Sequence, residues 1–554
     1  MNPSAPTARP GATVWRAVCE HPLAIALLVL LPAVFLAPLP LDETRYLAVA
    51  WEMRQGGDLL VPHLNGAPYP HKPPLLFWLI NAGWLVTGVH AWTARALSLG
   101  CSLASVLLLG RLARRLTGSA KVARLSMWFF AGIAYFALFA NAIMFDVLLA
   151  TCVLLAVHGV CDLADGRMRR GIVILAVAIG LGVLAKGPVM LLDVAFVGLL
   201  APWWHPSRLA GRRLRHYTGF LLAVLLGAGI ALAWAVPAAF AGGTDYAQAV
   251  FLNQTLDRIE GVEGASVHAR PWWWYLAMLP LLLLPWVLVM RGAWRRLPTL
   301  LGLPALRLAA AWFVPTLLVF SLVAGKQAHY LLPLFPAFAL ALALAVERGV
   351  LEVRAQAFGL FLLLMGVALA VVPHTSPQMQ PALRMLAPGW GLAVAAIGLA
   401  LLALARQART PVVVTMAALT LALVIRLAIG LGTGTRYDVG PVANQVRAAQ
   451  QQGQGVASLG WHHGVYEFAG RLQRPVPALF GEHEIVGWAR RHPDGLLVGF
   501  SKNVRLAATP AYRQEFRGGE LCIWHARDAL AAGLVPPAAR SRDPSAARDG
   551  TCND

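Results

Sequence analysis

Charge is what this chain has least of. Only 13% of its 554 residues are Asp, Glu, Lys or Arg, against about 25% in an ordinary soluble domain. Hydrophobic residues make up 58% and mean hydropathy is +0.63, which excludes a purely soluble protein and requires apolar runs to sit in lipid. Acids are scarcer than bases, so the net charge is +20. In a soluble protein that excess would point to nucleic acid. In a membrane protein it follows from Arg collecting on cytoplasmic loops, and no nucleic-acid partner is expected. Six cysteines are scattered with no CxxC spacing. Cys101, Cys152 and Cys161 fall in apolar runs, where a thiol behaves as a small hydrophobe; Cys522 and Cys552 could pair if that end of the chain lies outside the cell. No small-residue cleavage pattern precedes Asp42, so the run from Leu23 to Leu39 reads as a retained first span. No internal repeat stands out.

Apolar runs occur near 23–39, 92–110, 122–140, 143–161, 171–185, 187–203, 217–241, 273–290, 303–324, 330–346, 356–373, 387–405 and 411–430, about thirteen spans. The run 73–88 would reach only roughly 24 Å as a helix, short of the roughly 30 Å hydrocarbon core, and is expected to lie at the interface. With a cytoplasmic start, the inner loops hold 18 Lys and Arg in 55 residues and the outer loops 8 in 109. Counting 73–88 as a span would move the Arg111–Arg115 cluster outside and break that bias. An odd span number places the C-terminal part outside. After about Thr433 the composition changes to a helical stretch, 438–452, and short β-like runs such as Val456–Leu459 and Leu496–Phe500. The expected layout is an all-α polytopic membrane protein with a small C-terminal α/β domain. Residues 1–22 would be a cytoplasmic N-terminus, 23–432 a membrane domain with an outer loop at 42–91, 433–535 the α/β domain, and 536–554 a disordered tail.

The polar residues near the membrane gather on one predicted face. Asp42-Glu43-x-Arg45-Tyr46 follows the first span, and Asp42 is placed to cap a helix running to about Gln55. Tyr69-Pro-His71-Lys72-Pro-Pro leads into the interfacial helix, whose first turn the prolines fix. Asp146 starts a span, where an acid is costly and is usually functional or paired. Lys186 lies in a break between two spans; His268 and Arg270 precede the Trp272–Tyr275 aromatic belt; Lys326, His329 and Tyr330 begin another span. The topology rests on the Arg-rich inner loops, which contain none of these residues, so their shared side carries weight. Several cations at a membrane surface suit a lipid phosphate, and carboxylates beside them suit sugar hydroxyls, an amino sugar, a metal ion or base catalysis. Asp42 and Asp146 could converge. His71 and His268 could ligate a metal, though two histidines make an incomplete site, and His462-His463 reads as a surface or turn pair.

The segments Asp42-Glu-Thr-Arg45-Tyr46, Gly57-Asp58, Leu64-Asn65-Gly66 and Tyr69-Pro-His-Lys72-Pro-Pro resemble the bacterial aminoarabinose transferases that act on lipid A, among the protein O-mannosyltransferase-like enzymes of the GT-C fold. The likeness continues through Asp146, Leu184-Ala-Lys186-Gly-Pro, His268-Ala-Arg-Pro271, Lys326 and His329-Tyr330. It implies a bacterial inner-membrane enzyme with an undecaprenyl-phosphate sugar donor and a lipid A phosphate acceptor, conferring resistance to cationic peptides such as polymyxin; the chain is expected to act as a monomer among membrane lipids. It makes Asp42 and Asp146 the key acids, with Glu43, Arg45, Tyr46, Tyr69, Lys72, Lys186, Arg270, Lys326 and Tyr330 around the substrate. The family usually has Glu where His71 stands; here a divalent metal (Zn, Mg or Mn) would meet His71 and His268. Amino sugars such as aminoarabinose or glucosamine fit an acid-rich pocket. A protein O-mannosyltransferase-like hexosyltransferase is the second enzymatic reading. A lipid transporter or flippase is the third, opposed by charges at one surface rather than the midplane and by the lack of repeats.

Overall fold

The computed structural model describes residues 21–253, 269–375, 386–405, 410–432, 436–501 and 506–532. Among them, eight helices are long and apolar enough to cross a membrane: Ala91–Thr117, Phe145–Ala164, Met168–Lys186, Arg213–Phe251, Pro304–Leu322, Ala328–Glu347, Gln356–Thr375 and Thr410–Gly432. Four shorter apolar helices, Pro22–Phe35, Leu75–Thr87, Val189–Leu199 and Pro388–Leu404, accompany them. The count of unbroken spans is therefore lower than the thirteen apolar runs, because several runs are interrupted. The run 122–140 splits into Ala120–Ala131 and Ala134–Phe139. The break falls at Gly132, where an added Cβ would lie 2.5 Å from Thr415 Oγ1 and 2.7 Å from the Trp286 ring. The run 273–290 splits into Trp274–Leu282 and Trp286–Val289 around Pro285, whose ring cannot continue the preceding helix.

Glycine decides how closely two of these helices pack. Gln356–Thr375 lies against Pro388–Leu404 along Gly359, Gly366, Gly391 and Gly398. A Cβ on Gly366 would stand 2.2 Å from the Ala395 nitrogen, and one on Gly391 2.4 Å from that of Ala370. Backbone meets backbone there, which is how helices associate where lipid removes the hydrophobic drive.

Two features position the site. The 42–91 loop folds as a helix, Asp42–Gly56, a two-residue hairpin, His63–Leu64 with Ala67–Pro68, and the 13-residue helix Leu75–Thr87. At about 1.5 Å per residue the last is too short to cross a membrane. Asn81 fastens it to the first helix by donating to the Ala50 carbonyl at 3.0 Å. Residues 436–532 form the second feature. Helix Gly440–Gln451 leads into a five-stranded sheet whose order is Ala478–Leu479, Val456–Leu459, Leu496–Phe500, Gly519–His525 and Tyr512–Phe516. The first three strands are parallel and the last two antiparallel. Apolar side chains cover both sheet faces, one cluster around Val446, Val498 and Ile523, the other around Leu497, Trp488 and Trp524. Cys522 is a buried free thiol in this sheet; Cys552 lies outside the described residues.

Candidate active site

Asp42 begins the helix Asp42–Gly56, one position later than a capping residue, and its carboxylate makes no cap. Half of its side chain is exposed (51%). Tyr46, one turn on, donates its phenol to Asp42 Oδ1 at 3.4 Å, and Arg45 Nη2 stands 4.0 Å from the same oxygen. Burial first, and then the Asp42 carboxylate, push the Tyr46 phenol well above its ordinary pKa, so it remains a donor. An acid that caps nothing and faces open space is available for a substrate.

Glu43 is different, and its expected place around the substrate is corrected by the structure. It is 4% exposed and points into the fold. Arg95 Nη2 meets its Oε2 at 2.5 Å and Arg426 Nη2 its Oε1 at 3.4 Å. The backbone amides of Leu39 and Ile143 donate to it at 2.7 and 3.1 Å. Burial alone would raise its pKa, but the two guanidinium groups override that and hold it at about 2. Arg95 also donates to the carbonyls of Ala33, Leu36 and Ala37. Glu43 thus ties the first apolar helix, the 42–91 loop and three later segments into one block. Neither arginine was singled out from sequence. The available signal was an Arg inside an apolar run, where an ionisable residue is expected to have a partner.

The ring of Phe145 is where the remaining residues meet. Tyr46 packs edge-on against it at 4.8 Å, Phe77 at 5.5 Å, and the Lys72 ammonium lies over its face at 5.7 Å. The next residue, Asp146, is 2% exposed and ion-pairs with Lys186. His329 Nε2 is 4.0 Å from its other oxygen. Lys186 ends the helix Met168–Lys186 and sits 4.2 Å over the Tyr330 ring. Tyr69 and His71 hold their rings 5.2 Å apart at the start of the Lys72 segment. Asp42, Arg45, Tyr46, Tyr69, His71, Lys72, Asp146, Lys186 and Tyr330 therefore come together from five separate parts of the chain.

One further expectation changes. Lys326 is 2% exposed and spends its ammonium on the carbonyls of Arg270, at 2.9 Å, and Val323. It stitches two loops, helped by the bridge between Ala269 and Gly325, and does not face the site. Arg270 is exposed, with its guanidinium 5.9 Å from the Trp274 ring. His268 lies outside the described residues. Among those residues no group of three or more His, Cys, Asp or Glu could hold a metal ion.

Chemically, the cluster offers an exposed carboxylate, a buried acid neutralised by its own lysine, and Lys72 and Arg45 with positive charge near the surface. Such a set recognises a phosphate and a polyhydroxylated or amino-bearing group together.

Comparison with known proteins agrees with this picture. Residues 71–234 match the family described as dolichyl-phosphate-mannose-protein mannosyltransferase. The undecaprenyl phosphate-α-4-amino-4-deoxy-L-arabinose arabinosyl transferase of Pseudomonas paraeruginosa is 31% identical over 334 residues, covering 59% of this chain and 59% of that protein. Its counterpart in Pseudomonas aeruginosa is 32% identical over 304 residues, covering 53% and 52%. The matched stretch thus spans between half and three fifths of these relatives' length. The crystal structure of ArnT from Cupriavidus metallidurans bound to undecaprenyl phosphate superposes with a TM-score of 0.71 at 19% identity, covering 95% of this chain and all of that one; the apo form gives 0.72 at 18%. The fold is shared along nearly the whole chain, and the resemblance read from the first-loop motifs is borne out.

Proposed function

We propose that the chain is a multi-pass GT-C glycosyltransferase that moves an amino sugar, such as 4-amino-4-deoxy-L-arabinose, from undecaprenyl phosphate to a lipid A phosphate. The observation that carries this is the convergence of Asp42, Lys72 and the Asp146–Lys186 pair around Phe145 at the ends of apolar helices. A polyprenyl tail can stay in lipid there while its phosphate meets Lys72. The curated relatives' names and the shared fold with a structure bound to undecaprenyl phosphate support the donor.

In the proposed step an acceptor phosphate oxygen attacks the anomeric carbon as the bond to the carrier oxygen breaks, with inversion. The carrier leaves as a phosphate monoester carrying one more negative charge. Lys72 and Arg45 stabilise that charge as it forms, and interactions made only then lower the barrier. A phosphate nucleophile is already anionic, so Asp42 orients the acceptor or the sugar's amino group. Asp146 holds Lys186 and, through it, Tyr330 beside the sugar.

The reading places thirteen passes, some built from broken helices, in a bacterial inner membrane, with 42–91 and 433–535 in the periplasm. His71 would lie at the edge of the donor phosphate. The match of residues 71–234 to a mannosyltransferase family favours, as second reading, hexose transfer to protein. Mass spectrometry of lipid A and of envelope proteins from cells with and without the gene separates them. Unchanged lipid A, with hexose lost from protein, would overturn the first in favour of the second.

A further inference from the structure

The segment that brings Tyr69 and Lys72 to the site is gripped from behind by the C-terminal unit. Asn65 and Gly66 form the hairpin's two-residue turn with φ of 56° and 78°. Asn-Gly suits such a turn because both residues tolerate positive φ. The hairpin runs directly into the site segment: the Tyr69 amide donates to the Pro62 carbonyl at 2.7 Å. Glu52, on the helix that begins at Asp42, receives the turn's two amides, Asn65 at 2.5 Å and Gly66 at 2.9 Å. The Asn65 side chain clamps Val476 of the C-terminal unit from both sides, donating to its carbonyl and accepting from its amide, each at 2.7 Å. The same carbonyl is 3.0 Å from His462 Nε2, and His462 Nδ1 is 3.2 Å from Glu467 Oε1, both side chains buried. Trp51, beside Glu52, donates to the Leu472 carbonyl at 3.0 Å.

We propose that Glu52 is a positioning residue: through the Asn65-Gly66 turn and Val476 it lets the C-terminal unit fix the Tyr69–Lys72 segment in the site. The relay rests on these contacts alone; its bearing on sugar transfer rests on the function proposed above. It carries a signature that a merely structural bond lacks. Burial, and to a smaller extent the charge of Glu467, push the Glu52 carboxyl up to about 7, against the two amide bonds that favour its charged form. Among the described residues, charged or titratable groups around this contact include His462 beside Glu467, Arg471 over the Trp51 ring at 5.6 Å, His63 at 4.0 Å from Asp58, and Arg45, whose Cα adjoins Gly464 next to Leu64.

The sign follows from linkage. A carboxyl whose pKa is raised in the docked state favours docking most below its undocked value, near 4.5, and that help is lost as pH rises to about 7. Opening of the turn should therefore grow by up to about tenfold per pH unit across that window and level off above it. Hydrogen–deuterium exchange of segments 60–68 and 472–478 in the full-length protein in detergent, corrected for intrinsic rates, reads this directly. Wild type is expected to show the rise, Glu52→Gln to lose it, and Glu467→Gln to end it at lower pH. No rise in wild type, or the same rise in Glu52→Gln, would overturn the relay. Should Glu52→Gln not fold, an unshifted upper end in Glu467→Gln would overturn it instead. Turnover with an undecaprenyl-linked sugar, measured on the same samples, tests the function separately: the exchange pattern can hold while transfer fails, and that outcome removes the function and leaves the relay.

Discussion

Lys186 is enclosed between a carboxylate and an aromatic face: its ammonium pairs with Asp146 and lies 4.2 Å from the centre of the Tyr330 ring. Both charges are nearly out of contact with water, with side chains 6% and 3% exposed. Removing one partner leaves the other uncompensated, which typically costs about 3–5 kcal/mol, whereas removing both costs much less. Asp146→Asn and Lys186→Met should each lower the unfolding temperature in detergent more than the double variant does. All three should lose transfer. Additive destabilisation in the double variant would mean that the pair is not coupled.

Glu43 answers a different question, because two arginines depend on it. Its folded pKa is depressed to about 2, so its stabilising contribution is complete above the unfolded value near 4.5 and is lost as pH falls toward 2. By linkage that contribution is roughly 3 kcal/mol. Glu43→Gln should be among the most destabilising single changes in the loop. It should also flatten the acid limb of the stability curve between about pH 4.5 and 2. A melting temperature equal to wild type at neutral pH would show that Arg95 and Arg426 find other partners.

Sequence carried the location of the site better than the roles within it. The Arg-rich inner loops contain none of Asp42, Lys72, Asp146 or Lys186, and still put them on one side. The motifs then supplied the resemblance. Direction was what sequence could not give. Asp42 and Glu43 are neighbours on one helix, yet one opens outward and the other turns into a cage of arginines. Lys326, expected around the substrate, is a buried staple between loops. Apolar length likewise overstated the unbroken helices, because Gly132 and Pro285 interrupt runs whose hydropathy is continuous. Glu52 escaped notice because Glu467, which raises its pKa, lies about 400 residues on in the chain, and His462 reads as a surface or turn residue although its side chain is buried against Val476 and Glu467.

The orientation of the chain can be tested without activity. Single cysteines placed in 42–91 should react with an impermeant maleimide added to intact cells, and those in 204–216 should not. The expectation rests on 18 Lys and Arg in 55 inner-loop residues against 8 in 109 outer ones. The reverse labelling pattern would invert the topology and take the periplasmic site with it.

Asp42→Asn should abolish transfer while leaving stability nearly unchanged. The side chain caps no helix end and is half exposed, and its one hydrogen bond among the described residues, from Tyr46, is long at 3.4 Å. Losing it should cost no more than about 1 kcal/mol. A folded variant with wild-type turnover on a purified donor would remove Asp42 from the chemistry.

Lys72 offers the sharpest separation between a substrate contact and a membrane anchor. Its backbone is stiffened by Pro73 and Pro74, and its ammonium lies over the Phe145 ring at 5.7 Å, next to Asp146. A lysine that only snorkelled would reach toward head groups instead of an aromatic face at the centre of the cluster. If its bond to the donor phosphate strengthens as the carrier leaves, losing that bond removes roughly 1.5–3 kcal/mol of transition-state stabilisation. That is about tenfold to a hundredfold in turnover for Lys72→Ala. Arginine keeps the charge but replaces a compact ammonium with a planar fork. Lys72→Arg should therefore fall well short of wild type, with expression and melting temperature preserved in both variants. Near-normal turnover in both would make Lys72 an anchor and shift the phosphate contact to Arg45 or Lys186.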